Sequence, residues 1–271
     1  MKIVTVIQAR MSSSRLPGKV MLPILGQPLL YRMIERVKAA ELIGQLVIAT
    51  STNPEDDEIE KFCEEENLVC YRGHLTDLLD RHYQVAKNYK AEAVVKIPSD
   101  CPLIDPKVID KVLQKFIDHD EYDFVSNLHP ATYPDGNDVE IMSFEALEYA
   151  WRDASKDYER EHTTPFIWEH DENFGIGNVE WETGLDYSAT HRWTIDFPED
   201  YEFIRKVYSE LYPGNPLFTL KDILNLLKQK PEIAEINSQY LGKYWYENHL
   251  DELTHIDEYK DKLKKNDKER T

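Results

Sequence analysis

Cysteine is scarce in this chain, and the few cysteines are poorly placed for their common structural uses. Cys63, Cys70 and Cys101 are the only three among 271 residues, and no two of them form a Cys-x-x-Cys pair. This pattern argues against a disulfide framework and against a zinc ribbon. The nine histidines show no His-x-x-x-His or His-Glu-x-x-His spacing, so a zinc site is not predicted. We therefore expect a protein of the reducing cytoplasm.

Long apolar runs are also missing. No stretch approaches the ~20 apolar residues that a membrane-spanning helix needs. Arg10 interrupts the short apolar run at the start, and no small-residue cleavage site follows it. The sequence therefore predicts neither a membrane segment nor a signal peptide.

Basic residues are few beside the acidic ones, with 32 Lys and Arg against 51 Asp and Glu and a net charge of −19. So acidic a surface is not expected to bind nucleic acid or an anionic membrane. The charge is unevenly spread, because residues 1–34 contain no acid and carry +5 while the remainder carries −24. A locally positive site in an acidic protein suits a small polyanion.

The basic stretch lacks the glycine patterns of two well-known phosphate loops. Ser13 and Val20 stand where a P-loop needs glycine and then Ser or Thr, and no Gly-x-Gly-x-x-Gly follows the first apolar run. That run, residues 3–7, nevertheless has the β-branched content of a buried strand, and ligands bind at the carboxyl ends of such strands.

Residues 7–19 therefore have two interpretations, a phosphate-binding loop or a solvated surface loop with scattered cations. Small hydroxyls, backbone N–H groups and three cations favour the first, because together they suit the oxygens of a triphosphate. The groups concerned belong to Ser12, Ser13, Ser14, Arg10, Arg15 and Lys19.

The remainder of the chain shows a change of rhythm. Strand and helix patterns alternate from residue 3 to about 118, which predicts an α/β fold with a doubly wound, mostly parallel sheet. Residues 130–138 are rich in turn formers, and residues 191–195 resemble a late strand that ends at Asp196. We predict one catalytic domain over residues 1–240 and a charged C-terminal helix or tail over 241–271.

Seven stretches carry a family resemblance. In chain order they are IQARMSSSRLPGKVMLPILGQPLL, ATSTNPEDDEI, DLLDRHYQVA, VVKIPSDCPLIDP, YPDGNDVEI, REHTTPFI and HRWTIDFPED. Together they cover about residues 1–205 and resemble the CMP-sugar synthetase-like cytidylyltransferases, most closely the SpsF-like branch of spore-coat polysaccharide biosynthesis. The resemblance implies a Rossmann-like sheet of the nucleotide-diphospho-sugar transferase type. It also implies an inserted arm, about residues 128–190, for acceptor binding and dimer contact.

The resemblance further implies a reaction that joins CMP from CTP to a sugar or sugar acid of the ulosonic type, with Mg²⁺ as cofactor. The expected catalytic residues are Lys19, Arg15, Arg10 and Asp100. The expected nucleotide-binding residues are Gln8, Ala9, Arg10, Ser12, Ser13, Ser14, Arg15, Lys19, Thr52, Arg81 and Ser99. The expected acceptor-binding residues are Asp138, Glu140, His162, Thr163 and Arg192, with Arg160 as a weaker source of positive charge.

Asp100 and Asp196 are the expected metal ligands, since magnesium prefers one or two carboxylates together with phosphate oxygens. Each acid could instead be a helix cap, and Asp200 ranks below Asp196 for that reason. Arg81 has a structural alternative as an ion-pair partner of Asp77 or Asp80, and His162 could be an ordinary surface residue. Asn at either metal position is expected to weaken metal-dependent turnover without lowering the melting temperature.

Two other functions stay open from the sequence. The same fold could use another nucleoside triphosphate or a sugar-phosphate acceptor, because base choice depends on pocket shape. The chain could also be a non-catalytic nucleotide-binding regulator, although the loop lysine and the acids are present. A homodimer through residues 130–181 is expected from the aromatic residues spaced along that segment.

Overall fold

The computed structural model describes residues 1–243 and Leu253. Its centre is a seven-stranded sheet in the order β5-β4-β1-β6-β8-β7-β9, beside a short hairpin of β2 and β3. The strands are β1 (Ile3–Gln8), β2 (Pro23–Ile24), β3 (Gln27–Pro28), β4 (Gln45–Ser51), β5 (Cys70–Gly73), β6 (Ala93–Pro98), β7 (Phe124–Ser126), β8 (Glu140–Ser143) and β9 (Ile176–Asn178). The pairs β5-β4, β4-β1, β1-β6 and β7-β9 are parallel, whereas β8 is antiparallel to both β6 and β7. The predicted mostly parallel sheet is confirmed.

Helices cover both faces of the sheet. They are α1 (Leu29–Val37), α2 (Asp57–Glu65), α3 (Leu78–Tyr89), α4 (Pro106–Ile117), α5 (Phe144–Asp153), α6 (Asp157–His162), α7 (Pro165–Trp168), α8 (Pro198–Leu211), α9 (Leu220–Gln229) and α10 (Pro231–Ala234). Helices α1, α2 and α4 share one apolar cluster with the sheet, and α3 and α5 share another on the opposite face. None of the helices in the described part of the chain is both long and apolar enough to span a bilayer.

Buried strands hold the layers together. In β1, Ile3 and Ile7 pack into one cluster while Val4 and Val6 pack into the other, so both faces of the strand are covered. Each fully buried side chain of this size stabilises the fold by about 1.5–3 kcal/mol. The strand that precedes the basic loop is therefore rigidly placed.

Short polar side chains cap several of the helices at their N-termini. Asp105 and Thr219 cap α4 and α9 through side-chain bonds to backbone N–H groups, as such residues are expected to do. Asp77, not the neighbouring Thr76, caps α3, because its carboxylate accepts from Asp80 N at 2.8 Å. The negative charge of a carboxylate is also stabilised by the positive N-terminal end of the helix dipole, whereas a neutral hydroxyl gains no such stabilisation.

Two segments differ from the expected pattern. Residues 191–195 were expected to form a late strand but add none to the sheet, and their only ladder contact is an isolated bridge between Asp135 and Arg192. The segment of about 128–190 supplies β8 and β9 to the central sheet and thus returns to it twice. The predicted C-terminal helix or tail lies outside the described residues, apart from 241–243 and Leu253.

Candidate active site

A cavity of about 610 Å³ opens at the carboxyl ends of β1 and β6. One wall is the basic loop after β1, and another is the turn after β6 that carries Ser99 and Asp100. The remaining walls come from residues 127–140 and 192–197, which lie far away in the sequence. Parallel strands place their carboxyl ends on one side, so the first two walls meet as expected.

Lys19 lies at the floor of this cavity, at the start of a single 3₁₀ turn, Lys19–Met21. Its Nζ donates to Asp100 Oδ2 at 3.2 Å, to the Ile195 carbonyl at 2.6 Å and to Asp196 Oδ1 at 3.0 Å. Burial lowers the pKa of Lys19, but attraction to Asp100 and Asp196 outweighs it and leaves the pKa raised. Lys19 is therefore a fixed cation between two carboxylates.

Asp196 is surrounded by positive charge. Besides Lys19, Arg15 Nη2 lies 2.8 Å from Oδ1 and Arg192 Nη2 lies 3.3 Å from Oδ2. Burial alone would raise the pKa of Asp196, but Lys19 and Arg15 hold it below its usual value. The carboxylate is charged at neutral pH as a result.

Asp200 has a structural role instead. Its Oδ2 accepts from the backbone N–H groups of Asp196 and Phe197 at 2.9 and 3.0 Å, which caps α8. The residue is fully buried and also binds Arg192. The lower rank given to Asp200 as a metal ligand agrees with this geometry.

Arg192 borders the cavity, but its guanidinium is committed to protein carboxylates. It makes two bonds to Asp200, at 3.0 and 3.1 Å, and one to Asp135 at 3.4 Å, and it is 4% exposed. Burial lowers its pKa, yet Asp200 and Asp135 outweigh that effect and raise it. Arg192 is thus held by protein carboxylates, and its role in acceptor binding stays a prediction.

Arg160, expected as a weaker source of positive charge, is also bound by other groups of the protein. It binds the Asp77 carboxylate at 2.9 and 2.5 Å and the Trp151 carbonyl at 2.6 Å, outside the cavity lining. Arg160, rather than Arg81, is thus the ion-pair partner of Asp77. The bond ties α6 to the start of α3.

Some backbone groups of the loop after β1 form hydrogen bonds within the loop itself. Ser13 N donates to the Met11 carbonyl at 2.9 Å, so that amide is not available to a ligand. The N–H groups of Ser14 and Arg15 have no acceptor among residues 1–243. Arg10 lines the cavity, and its guanidinium lies 3.7 Å from the Glu161 carboxylate.

Unused hydrogen-bonding groups cluster on the α3 side of the cavity. Gln8 Oε1, Arg81 Nε and Nη1 and His82 Nε2 are buried and have no partner in the described part of the chain. Burial, with repulsion from Arg10, lowers the pKa of Arg81 to about 10, and burial lowers that of His82 to about 3. Buried polar groups are normally satisfied, so each exception marks a candidate contact to a bound molecule.

Acids dominate the opposite side. Glu140 binds Lys96 closely and accepts from Thr164 Oγ1 at 2.6 Å, whereas Asp138 accepts from Gly136 N at 3.2 Å. Burial and the neighbouring Asp100 raise the pKa of Asp138 to about 7. Asp138 therefore exchanges its proton near neutral pH.

Known proteins share the sequence and the fold that form this cavity. A family model described as cytidylyltransferase matches residues 4–233. The chain belongs to this family. It is 30% identical to the spore coat polysaccharide biosynthesis protein SpsF of Bacillus subtilis over 238 residues, which cover 86% of this chain and 96% of that one.

Solved structures agree with this cytidylyltransferase assignment. A cytidylyltransferase from Leptospira borgpetersenii superposes with a TM-score of 0.80 at 34% identity, over 86% of this chain and 97% of that one. A CMP:2-keto-3-deoxy-manno-octonic acid synthetase solved with CTP superposes with a TM-score of 0.61 at 20% identity, over 78% of this chain and 99% of that one. The second likeness shows the shared fold.

Most of the residues expected at the active site of a cytidylyltransferase lie along the one cavity. They are Gln8, Ala9, Arg10, Ser13, Ser14, Arg15, Lys19, Arg81, Ser99, Asp100, Asp138, Glu140, His162, Arg192 and Asp196. Ser12 and Thr52 are exposed outside it, and Thr163 is buried behind the wall, with Oγ1 3.1 Å from His82 Nδ1. These three are not placed where the sequence put them.

The sequence analysis missed other residues along the cavity. Lys96 interrupts an otherwise apolar strand, and a charge at such a position could have been singled out. Asp135 stands in the turn-rich stretch 130–138, next to Gly136. His82 and His129 gave no signal, because a lone histidine in an apolar pattern does not differ from a core residue.

The donor set of this cytidylyltransferase fits a hard divalent cation. Asp100 and Asp196 offer carboxylate oxygens and Ile195 offers a carbonyl, which are the ligand types that Mg²⁺ takes. The described residues contain no group of three or more His, Cys, Asp or Glu arranged to hold a metal. Mg²⁺ would thus take its remaining ligands from water or phosphate, as it commonly does.

Proposed function

We propose that this protein transfers CMP from CTP to a sugar or sugar-acid acceptor and releases pyrophosphate, with Mg²⁺ bound by Asp100 and Asp196. One observation supports the proposal above all. Two carboxylates lie within 3.2 Å of Lys19 Nζ, and Arg15 of the same loop lies 2.8 Å from one of them, in a cavity large enough for a nucleotide and a sugar. The cytidylyltransferase family provides the reaction class.

The phosphates would bind beside the loop after β1. Arg15 and Lys19 reach the β- and γ-phosphates, while Arg10 and the Ser14 amide reach the α-phosphate. Charge-assisted hydrogen bonds of this kind are about twice as strong as neutral ones. The nucleoside would lie toward Gln8 and Arg81, whose unused groups offer one acceptor and several donors.

The base is proposed to be cytosine because the unused groups suit its edge. Cytosine presents an amino donor beside ring-nitrogen and carbonyl acceptors, and Gln8 Oε1 and the Arg81 guanidinium offer the converse set. Uracil reverses the donor and acceptor positions at two of these atoms. A site built around hydrogen bonds rejects an analogue that leaves its buried groups unpaired.

In the chemical step, an acceptor hydroxyl oxygen attacks the α-phosphorus. The bond from that phosphorus to the bridging oxygen of the β-phosphate breaks, and pyrophosphate leaves with the electron pair. The hydroxyl proton passes to water or to Asp138. When bound, Mg²⁺ supplies charge stabilisation for the phosphate oxygens. The positive side chains hold the leaving group, since positioning and charge carry most of this catalysis.

A nucleotide screen tests the proposal. CTP, UTP, GTP and ATP are each added with Mg²⁺ while the melting temperature is followed, and the largest stabilisation is expected with CTP. Pyrophosphate release is then measured with CTP and a panel of ulosonic acids, neutral sugars and sugar phosphates. Stabilisation by GTP or ATP alone would overturn the assignment of cytosine.

We also propose a homodimer and a catalytic unit over residues 1–240, both on the strength of the family resemblance. Not all of the aromatic residues between 130 and 181 are available to such an interface. Tyr133, Tyr158, Phe166 and Trp168 are buried inside the chain, and Tyr149 is the large aromatic of this segment that is exposed, at 38%. Tyr149 is therefore the aromatic of this segment best placed to contribute to an interface.

A further inference from the structure

The two acids assigned to the metal share one ammonium group. Lys19 Nζ lies 3.2 Å from Asp100 Oδ2, 3.0 Å from Asp196 Oδ1 and 2.6 Å from the Ile195 carbonyl. An ammonium has three protons to donate, and here all three have oxygen acceptors. The Lys19 side chain is 11% exposed, so this arrangement is enclosed by the protein.

The negative charge of Asp196 is balanced by more than one positive side chain. Arg15 and Arg192 contact it at 2.8 and 3.3 Å in addition to Lys19. A free divalent cation that approached Asp196 would meet three positive side chains, and like charges a few ångströms apart repel strongly in a partly buried site. The arrangement opposes metal binding as long as Lys19 and Arg15 remain in place.

A triphosphate changes this balance. Its oxygens can accept from Lys19 and Arg15, and both cations then leave the carboxylates. Arg15 is half-exposed and Lys19 has a flexible four-carbon chain, so both can turn toward the cavity. Arg192 cannot follow them, because Asp200 holds it by two bonds.

We propose that Lys19 is the resident cation of the metal position, and that Lys19 and Arg15 keep free divalent cation away from Asp100 and Asp196 until a triphosphate draws them aside. The proposal deepens the function given above and rests on it for the nature of the nucleotide. It states that Lys19 and Arg15 exclude free divalent cation from Asp100 and Asp196.

Mn²⁺ alone is the probe, followed by electron paramagnetic resonance in the full-length protein without nucleotide. Wild type is expected to bind Mn²⁺ weakly. Lys19→Met removes the ammonium but keeps the side-chain length, and it should bind Mn²⁺ about tenfold more tightly, equivalent to ~1.4 kcal/mol of relieved repulsion. Adding Asp196→Asn to Lys19→Met should abolish the gain.

Arg205→Met is the matched control, because Arg205 is an exposed cation on α8 that pairs with Glu202 at 3.0 Å. It removes the same charge without touching the cavity, so Mn²⁺ binding should stay as in wild type. The proposal is overturned if Lys19→Met binds Mn²⁺ no better than Arg205→Met. It is also overturned if wild type binds free Mn²⁺ as tightly as Lys19→Met does.

If Lys19→Met fails to fold, Arg15→Met takes its place, since Arg15 lies nearer the surface than Lys19. Arg15→Met should then bind Mn²⁺ more tightly than wild type, and the proposal is overturned if it binds no better than Arg205→Met. The titration contains neither CTP nor acceptor. A failed nucleotide screen would therefore overturn the proposed function and leave this result standing, whereas unchanged Mn²⁺ binding would overturn the inference alone.

Discussion

Single side chains in the cavity carry charges that the surrounding residues have already balanced. Lys19→Ala should lower turnover about 10²-fold, because removing one such contact to a departing phosphate costs about 3 kcal/mol. Unlike a substitution in an open polar loop, it should also lower the free energy of unfolding by about 1–3 kcal/mol, since Asp100 and Asp196 lose their shared partner. Steady-state kinetics at saturating CTP and urea titration measure the two effects. Near-normal turnover would exclude the assigned role.

Asp196→Asn separates metal binding from stability. The contacts of Asp196 with Arg15, Lys19 and Arg192 revise the earlier expectation of an unchanged or higher melting temperature. The variant should melt at a lower temperature without ligand and lose its dependence on Mg²⁺ for turnover. Asp100→Asn is the comparison, because Asp100 has one cation contact, at 3.2 Å, and should lose less stability. Equal melting temperatures for the two variants would contradict this account.

Asp138 makes stability depend on pH. Its pKa is raised to about 7 in the folded protein, so between about pH 4 and pH 7 the folded state holds a proton that the unfolded state has lost. Stability from this group is therefore present at low pH and falls as pH rises through 7. Asp138→Asn should gain on the order of 1–3 kcal/mol relative to wild type between pH 5 and pH 8.

Urea titrations of wild type and Asp138→Asn at the two pH values measure this gain. Asp120→Asn serves as control, because Asp120 lies exposed in a turn. An identical difference between wild type and Asp138→Asn at both pH values would show that Asp138 does not titrate there.

At the scale of elements, the segment of residues 130–138 is locked against residues 192–194. Gly136 has φ +101°, and a Cβ there would lie 2.7 Å from the Trp193 carbonyl carbon and 2.8 Å from Thr194 N. Gly136→Ala should therefore destabilise the protein by about 3 kcal/mol or more and impair turnover.

Gly184→Ala isolates the strain from the clash. Gly184 also has positive φ, at +72°, but a Cβ there would meet nothing within 4 Å. Thermal melts of the two variants should place Gly136→Ala well below Gly184→Ala. Equal melting temperatures would show that the close approach to Trp193 and Thr194 does not matter.

The sequence predicted those parts of the site that follow from strand ends. Lys19 and Asp100 each come after a parallel strand, so their meeting needed only the rule for sheet edges. Asp196 was placed correctly for a wrong reason, because residues 191–195 run beside Asp135 rather than joining the sheet.

The commitment of Arg192 to Asp200 and Asp135 could not be predicted. Arg192 and Asp135 are 57 residues apart in the sequence, so their contact depends on tertiary packing. No local sequence pattern predicts it. Lys96 and Glu140 are likewise neighbours only because β8 lies antiparallel to β6.

At the scale of the whole molecule, the proposed homodimer is open to a direct measurement. Sedimentation velocity at micromolar concentration should show a species of twice the chain mass of 31.8 kDa. Tyr149→Ser should weaken this association, because Tyr149 is the exposed aromatic of the segment from 130 to 181. Leu217→Ser, at an exposed position outside that segment, is the control. A monomer at every concentration would refute the dimer.

The contact between Lys19 and Asp196 spans 177 residues, and this has a consequence for a chain emerging from the ribosome. The cationic loop is translated early, and Asp196 is added only shortly before α8 begins to emerge. An abortive product that stops before Asp196 keeps three loop cations and lacks the carboxylate that three cations contact in the finished protein. If Asp196 holds the metal as proposed, we therefore expect competence for nucleotide transfer to arise late in synthesis, once this carboxylate has been made.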